Sequence, residues 1–384
     1  MVGLLRCTQT CVICLFLCVM VTSVRAEETD RLVRVTLSEA AGQTVFTGRI
    51  LVRAQDGGIL LEESNGELRN LTPDSFDAIE ETDDSFERLS ADELAGQLIE
   101  EMGPAFGIRQ TDHFVICTSA SDVFTDYTAE LLEKVYSEFY AFFDERRVSV
   151  QQPAGPLPVI VFRRQDDLLT HAGTQHPEQT FEDVRGYYTV RFNQMYVSDI
   201  SGRSPTSRRE LMSYLRKHPR HTETVVHETI HLLGYNSGLH SRLADNPLWF
   251  TEGLAAWFEP STGRGPLLWT GPGNTNLTYV RHLKSKRTRR SLPISLPKLV
   301  GDNQAFLQSD TTLDAYAASW ALVYYLLRRD RETFDQLAEA FQQRLPLIEV
   351  VPTAEQTVFA EACETPLERL EAKAAALTGR LRIR

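Results

Sequence analysis

Between Thr222 and Gly234 the chain reads Thr-Glu-Thr-Val-Val-His-Glu-Thr-Ile-His-Leu-Leu-Gly, a pattern that fits an amphipathic helix and little else. Val225, Val226, Ile230 and Leu233 recur at helical spacing and form one apolar stripe. Thr222 is placed to cap the start, and Gly234 or Gly238 to end the helix. His227 and His231 are then i and i+4, one turn apart on one face, so both imidazoles can reach a single Zn²⁺ at ~2.0–2.1 Å. Glu228 is offset by about 100° around the axis, where it can contact a water on the metal without ligating it. Hydrolysis needs this division of labour, in which the metal acidifies the water and the carboxylate takes its proton.

With twenty residues between, His231 is followed by Glu252, inside Pro247-Leu248-Trp249-Phe250-Thr251-Glu252-Gly253-Leu254-Ala255-Ala256-Trp257-Phe258-Glu259. Almost every other member of that predicted helix is apolar, and a carboxylate in such a setting is costly unless it is paired or bound to a cation. As third ligand it leaves one position open for water or substrate, the condition for a catalytic rather than a structural site.

The two segments together resemble the paired helices of the gluzincin metallopeptidases, notably the aminopeptidase N family with its WLxEGxA segment, matched here by Trp249-Phe250-Thr251-Glu252-Gly253-Leu254-Ala255. Asn236, five residues after the second His, and Glu259, seven after the third ligand, also match positions common in that family. The wider layout, including Gly186-Tyr187-Tyr188 and Tyr316-Ala317-Ala318-Ser319-Trp320-Ala321-Leu322, is similar to a group of uncharacterised bacterial secreted proteins with a peptidase-like domain. The resemblance is specific over 222–259 and loose over about 105–345. It implies zinc, a helix-rich catalytic lobe and peptide-bond hydrolysis. It also implies an oxyanion donor, a Tyr or His from a later segment; Tyr316 is the first choice, with Tyr324 and Tyr325 as alternatives. The chain has no GxMEN segment to anchor a free amino terminus and is much shorter than an aminopeptidase, so exopeptidase specificity does not carry over.

Other residues have two readings each. Glu259 lies two turns from Glu252 on one helix face, where it can hold a ligand His or simply be solvated. Asn236 can belong to the site or to turn chemistry after the helix. Arg281, His282, Lys284, Lys286, Arg287, Arg289 and Arg290 form a basic run that reads as a solvated loop or as a flap selecting acidic substrates. Gly186 to Val197 reads as an ordinary hairpin or as an edge strand for an extended peptide.

Residues 1–26 stand apart. Arg6 leads into 18 uncharged residues, Cys7 to Val24, ending at Val24-Arg25-Ala26 before Glu27 and Glu28, the pattern of a signal peptide cut after Ala26. An uncleaved anchor is the alternative. Cys7, Cys11, Cys14 and Cys18 lie in this leader, so the mature chain keeps only Cys117 and Cys363, as one bridge or as two buried thiols. Without Arg6 and Arg25 it carries 38 basic against 52 acidic residues, which argues against a nucleic-acid partner. The expected location is exported, secreted or periplasmic, without stable membrane insertion once the leader is cut.

Along the mature chain, short β-type runs separated by Asp56-Gly57-Gly58 and Asn65-Gly66 fill 31–79. The acidic 80–87 reads as a linker, and Ser90-Ala91-Asp92-Glu93 as a capping box opening a helix to about Met102. Strand and helix signals then mix, and helices dominate after about Arg208. The expected fold is α+β: a signal peptide at 1–26, a small antiparallel β-domain at 27–83, a linker and helix at 84–104, and a gluzincin-like domain with a small sheet and a helical half at 105–384.

The function these readings converge on is a zinc metallopeptidase acting on a peptide or protein substrate, with Glu228 as general base, Tyr316 at the oxyanion, and Glu259 and Asn236 behind the ligands. A zinc amidase acting on cell-envelope material, or a binding protein with a relic metal site, are the alternatives. The chain's spacing does not fix its oligomeric state.

Overall fold

The computed structural model describes residues 31–38, 44–177, 184–199, 202, 204–286, 291–348, 351–363 and 365–383. The leader, and Arg287, Arg289 and Arg290 of the basic run, lie outside them. The protein is α+β, as its patterning predicts.

The first unit is an antiparallel sheet of β1 (Arg31–Leu37), β2 (Val45–Arg53), β3 (Ile59–Glu63), β4 (Leu68–Leu71) and β5 (Phe76–Ser85), in the order β4-β3-β2-β1-β5. Alternation puts Val33, Val35, Ile50, Ile59 and Leu61 on one buried face. Val52, Leu60 and Leu68 on the other face pack with Leu243 and Leu347 of the second unit. The acidic stretch expected to be a linker is the second half of β5, paired with β1 from Leu37 opposite Phe76 to Arg31 opposite Ser85. Edge strands carry charge well because only one side is paired, so an acidic run here does not mark a boundary.

Helix α1 (Ala91–Met102) starts at the expected capping box, with Ser90 and Glu93 bonding each other's backbone. Its Leu94, Ala95 and Leu98 bury against the second sheet. That sheet comprises β6 (Gly107–Gln110), β7 (Phe114–Thr118), β8 (Leu157–Phe162), β9 (Gly186–Thr189) and β10 (Gln194–Ser198), ordered β6-β7-β8-β10-β9, with β7, β8 and β10 parallel. Helix α2 (Asp122–Arg146) joins β7 to β8, and α3 (Gln165–Gln175) follows β8. Helices α1 and α3 cover one face and α2 the other, so β8 is buried at every residue and reads as an unbroken apolar run.

The helical half follows as α4 (Arg208–Lys217), α5 (Arg220–Asn236), α6 (Leu248–Phe258), α7 (Leu277–Ser285), α8 (Leu296–Gly301), α9 (Gln304–Leu307), α10 (Thr312–Arg329), α11 (Arg331–Gln342), α12 (Pro352–Ala362) and α13 (Leu367–Gly379). Part of the basic run expected to be a loop is α7, where His282 bonds Asp314 at 2.5 Å and Lys284 the Leu381 carbonyl at 2.6 Å. Cys117 and Cys363 are separate buried thiols. Among the described residues no helix is long and apolar enough to cross a membrane.

Candidate metal centre

Helix α5 lies against β9, β10 and α2. Its apolar stripe, Val225, Val226, Ile230 and Leu233, is fully buried, and the Thr229 hydroxyl bonds the Val225 carbonyl at 2.6 Å within the helix. The helix begins earlier than the cap signal suggests, at Arg220 with Pro219 in the N-cap position, and Thr222 sits inside it, bonded to the Tyr127 hydroxyl at 2.7 Å. It runs through Gly234 to Asn236 and ends at Ser237 before Gly238, whose φ is +73°.

Helix α6 crosses α5 and is covered by α10. Gly253 permits the second contact: a Cβ there would lie 2.7 Å from Val323 Cγ2 and 2.9 Å from the Ser319 carbonyl oxygen. The neighbouring Glu252 is buried, at 2 % exposure, where an unpaired charge would be costly.

His227, His231 and Glu252 are brought together. Nε2 of His227 is 3.1 Å from Glu252 Oε2 and 3.1 Å from His231 Nε2, and His231 Nε2 is 3.5 Å from Glu252 Oε2. Three donors around a tetrahedral ion at ~2.0–2.1 Å stand about 3.3 Å apart, so the set fits one zinc-sized cation. Burial alone would raise the Glu252 carboxyl, but His231 and His227 hold it well below the usual carboxylate range. Glu228 lies beside them on α5, also 2 % exposed, and burial pushes its carboxyl up against the pull of His227 and His231.

Glu259 stands where the helix spacing puts it. Its Oε2 accepts from His227 Nδ1 at 2.5 Å, and its Oε1 from the Asn276 amide at 2.5 Å. The bond to Nδ1 turns His227 Nε2 toward the other two donor atoms. Burial opposes a charged His227, yet Glu252 and Glu259 hold its pKa well above the ordinary histidine value. Asn236 does something else: its amide bonds Asn193 at 2.8 Å and the Leu232 carbonyl at 2.8 Å, fastening the β9-β10 hairpin to the end of α5. Tyr316 is buried, its ring edge-to-face with Phe306, on the face of α10 that carries Ser319 and Val323 to Gly253. Tyr324 packs against Trp257 and Trp320.

Two neighbours were not legible as part of the site. Asn276 caps α7, accepting from the Tyr279 amide at 3.2 Å, and nothing local in the sequence ties it to Glu259. His240 packs edge-to-face on Phe250 of α6 and on Tyr235 of α5, and burial, with His231 beside it, pushes it down to about 3.

Residues 221–348 match a family described as protein of unknown function (DUF1570). That span holds all three donors, Glu228, Glu259, Asn276 and Tyr316, and neither sheet. No curated protein matches the chain.

Proposed function

We propose that the protein is a zinc-dependent metallopeptidase, exported to a secreted or periplasmic location, that hydrolyses peptide bonds in peptide or protein substrates. The observation that carries this reading is the convergence of three buried donor atoms with a fourth buried group, Glu228, on the helix that supplies two of them. Without a cation, Glu228 and Glu252 would be two carboxylates enclosed with two imidazoles, an expensive arrangement. A structural site has no use for a buried base beside its ligands.

His227, His231 and Glu252 hold the metal, and Glu259 orients His227. Zinc bound there supplies Lewis acidity and lowers the pKa of water toward neutrality. Glu228 takes the proton of the attacking water at its carboxylate and returns it to the leaving amine. Tyr316 donates to the developing oxyanion. The gluzincin resemblance supports the same assignment. An amidase acting on cell-envelope material would use the same groups, and a peptide library run beside peptidoglycan fragments separates the two.

The test pairs metal analysis with turnover. One zinc per chain, hydrolysis of a quenched peptide library, and a Glu228→Gln variant that keeps zinc while losing about 10²–10⁴ in kcat support the proposal. A chain that takes up no zinc, or a variant of near parental turnover, overturns it.

A further inference from the structure

Away from the candidate metal centre a polar cluster surrounds Glu62, at the seam between the two units. Glu62 is 4 % exposed and meets three guanidinium groups: Arg49 at 2.8 Å, Arg88 at 2.6 Å and Arg242 at 3.1 Å. Arg49 and Glu62 both belong to the first sheet. Arg242 does not, and its head has further partners. It donates to the Gly66 carbonyl at 2.7 Å, to Val190 at 2.5 Å and 3.1 Å, and to Arg191 at 3.3 Å. One planar fork therefore joins the β3-β4 turn to the tip of the β9-β10 hairpin.

Two more contacts close the seam. The Leu68 amide donates to the Arg191 carbonyl at 2.8 Å, and Gly66, at φ +94°, lies so close that a Cβ would be 2.9 Å from Asn193 Nδ2. Asn193 continues inward, exchanging amide bonds with Asn236 at 2.8 Å and 3.0 Å and accepting from the Tyr188 hydroxyl at 2.8 Å. Tyr188 stacks on Tyr235. Tyr235 and Asn236 form the last turn of α5, one turn past His231.

We propose that the first sheet is an internal brace for the β9-β10 hairpin, which packs on the helix that carries His227 and His231: Arg242 ties the β3-β4 turn to the hairpin, and Asn193 joins the hairpin to the end of α5. Arg242 is a positioning residue, since it touches neither the donors nor Glu228. The brace rests on the metallopeptidase reading only in its effect on turnover.

The experiment uses the full chain and compares Arg242→Met, Glu62→Gln and Arg49→Met with the parent. Amide exchange is followed over 186–198 and 222–236, zinc affinity by chelator competition, and turnover with quenched-fluorescent casein. Arg242→Met and Glu62→Gln should each speed exchange over 186–198 by about tenfold or more, through local opening of the hairpin. In both, zinc affinity should stay within about threefold, while KM rises about fivefold and kcat changes less than about twofold. Arg49→Met, which loosens Glu62 without touching the seam, should leave the hairpin's exchange unchanged. If Arg242→Met does not fold, Glu62→Gln decides, because it alters no atom of the hairpin. Hairpin exchange unchanged in the folded variants, or raised equally by Arg49→Met, overturns the brace. A parent that cleaves nothing counts against the function proposed above, and the exchange comparison still decides the brace.

Discussion

Glu259 accepts a hydrogen bond from Nδ1 of His227 at 2.5 Å, across the gap between the two helices that carry the donor set. The contact fixes the tautomer and the ring plane of one ligand, and the Asn276 amide on the other carboxylate oxygen keeps Glu259 from turning away. Carboxylates in this position raise the basicity of the imidazole they hold. Glu259→Gln keeps the shape and removes the charge, so zinc affinity should fall about 10–100-fold. Competition with a chelator measures it, and an unchanged affinity would make Glu259 a bystander.

Removing the proposed metal or one of the residues proposed to hold it should act on stability as well. Anything bound only by the folded chain adds to its stability by mass action, and a metal held by His227, His231 and Glu252, which only the folded chain brings together, would be bound in that way. Chelator treatment should therefore lower Tm by several degrees. Glu252→Ala should show the same lowered Tm with or without chelator and bind zinc at least about tenfold more weakly. Parental zinc affinity in Glu252→Ala would place the third ligand elsewhere.

The α+β class and the spacing of the candidate donor atoms were legible in the sequence, for physical reasons. His227, Glu228 and His231 are fixed relative to one another by the pitch of one helix, and Glu259 stands to Glu252 as i+7 on another, so spacing alone located them. Glu252 was found by its cost, one charge in an apolar run. Asn236 shows the limit: its spacing matches the family pattern, but its partner is Asn193, 43 positions away in the chain, which no local period reveals. The acidic half of β5 was misread because a paired edge strand and a solvated linker have similar composition, and only the partner β1 distinguishes them. Helix α7 was lost in a basic run, where His282 and Lys284 meet Asp314 and the Leu381 carbonyl, contacts supplied by other elements.

Glu223, one turn before His227 on α5, gives a pH signature. Burial, then the charge of Glu259, raises its carboxyl to about 7, while the Ser261 amide opposes the rise. A carboxyl whose folded pKa lies above its unfolded value binds more protons when folded. Its contribution is therefore fully present below about pH 4.5 and is lost as pH rises through about 7. Glu223→Gln stays neutral throughout and can still accept from Ser261. The variant should melt like the parent near pH 5 and be more stable near pH 8, by at most about 3 kcal/mol. Thermal melts at both pH values, with metal content matched, check this, and an advantage confined to pH 5 would reverse the sign.

Tyr316 is the one member of the proposed site assigned by role rather than by contact with the donor atoms. It lies on the face of α10 that meets α6 at Gly253, the residue after Glu252, and its ring packs edge-to-face on Phe306. If that hydroxyl donates to the oxyanion, the bond strengthens as the tetrahedral intermediate forms, and its loss falls on turnover more than on binding. Tyr316→Phe deletes only the oxygen and keeps the ring against Phe306. We expect kcat to fall roughly 10²–10³, the usual scale for one oxyanion donor, with KM, zinc content and Tm close to the parent. A tyrosine that only packs predicts parental kcat and at most a small change in Tm. Turnover, metal content and melting measured on one preparation distinguish the two, and a parental kcat would move the search along α10 to Tyr324 and Tyr325, or to His282 on α7.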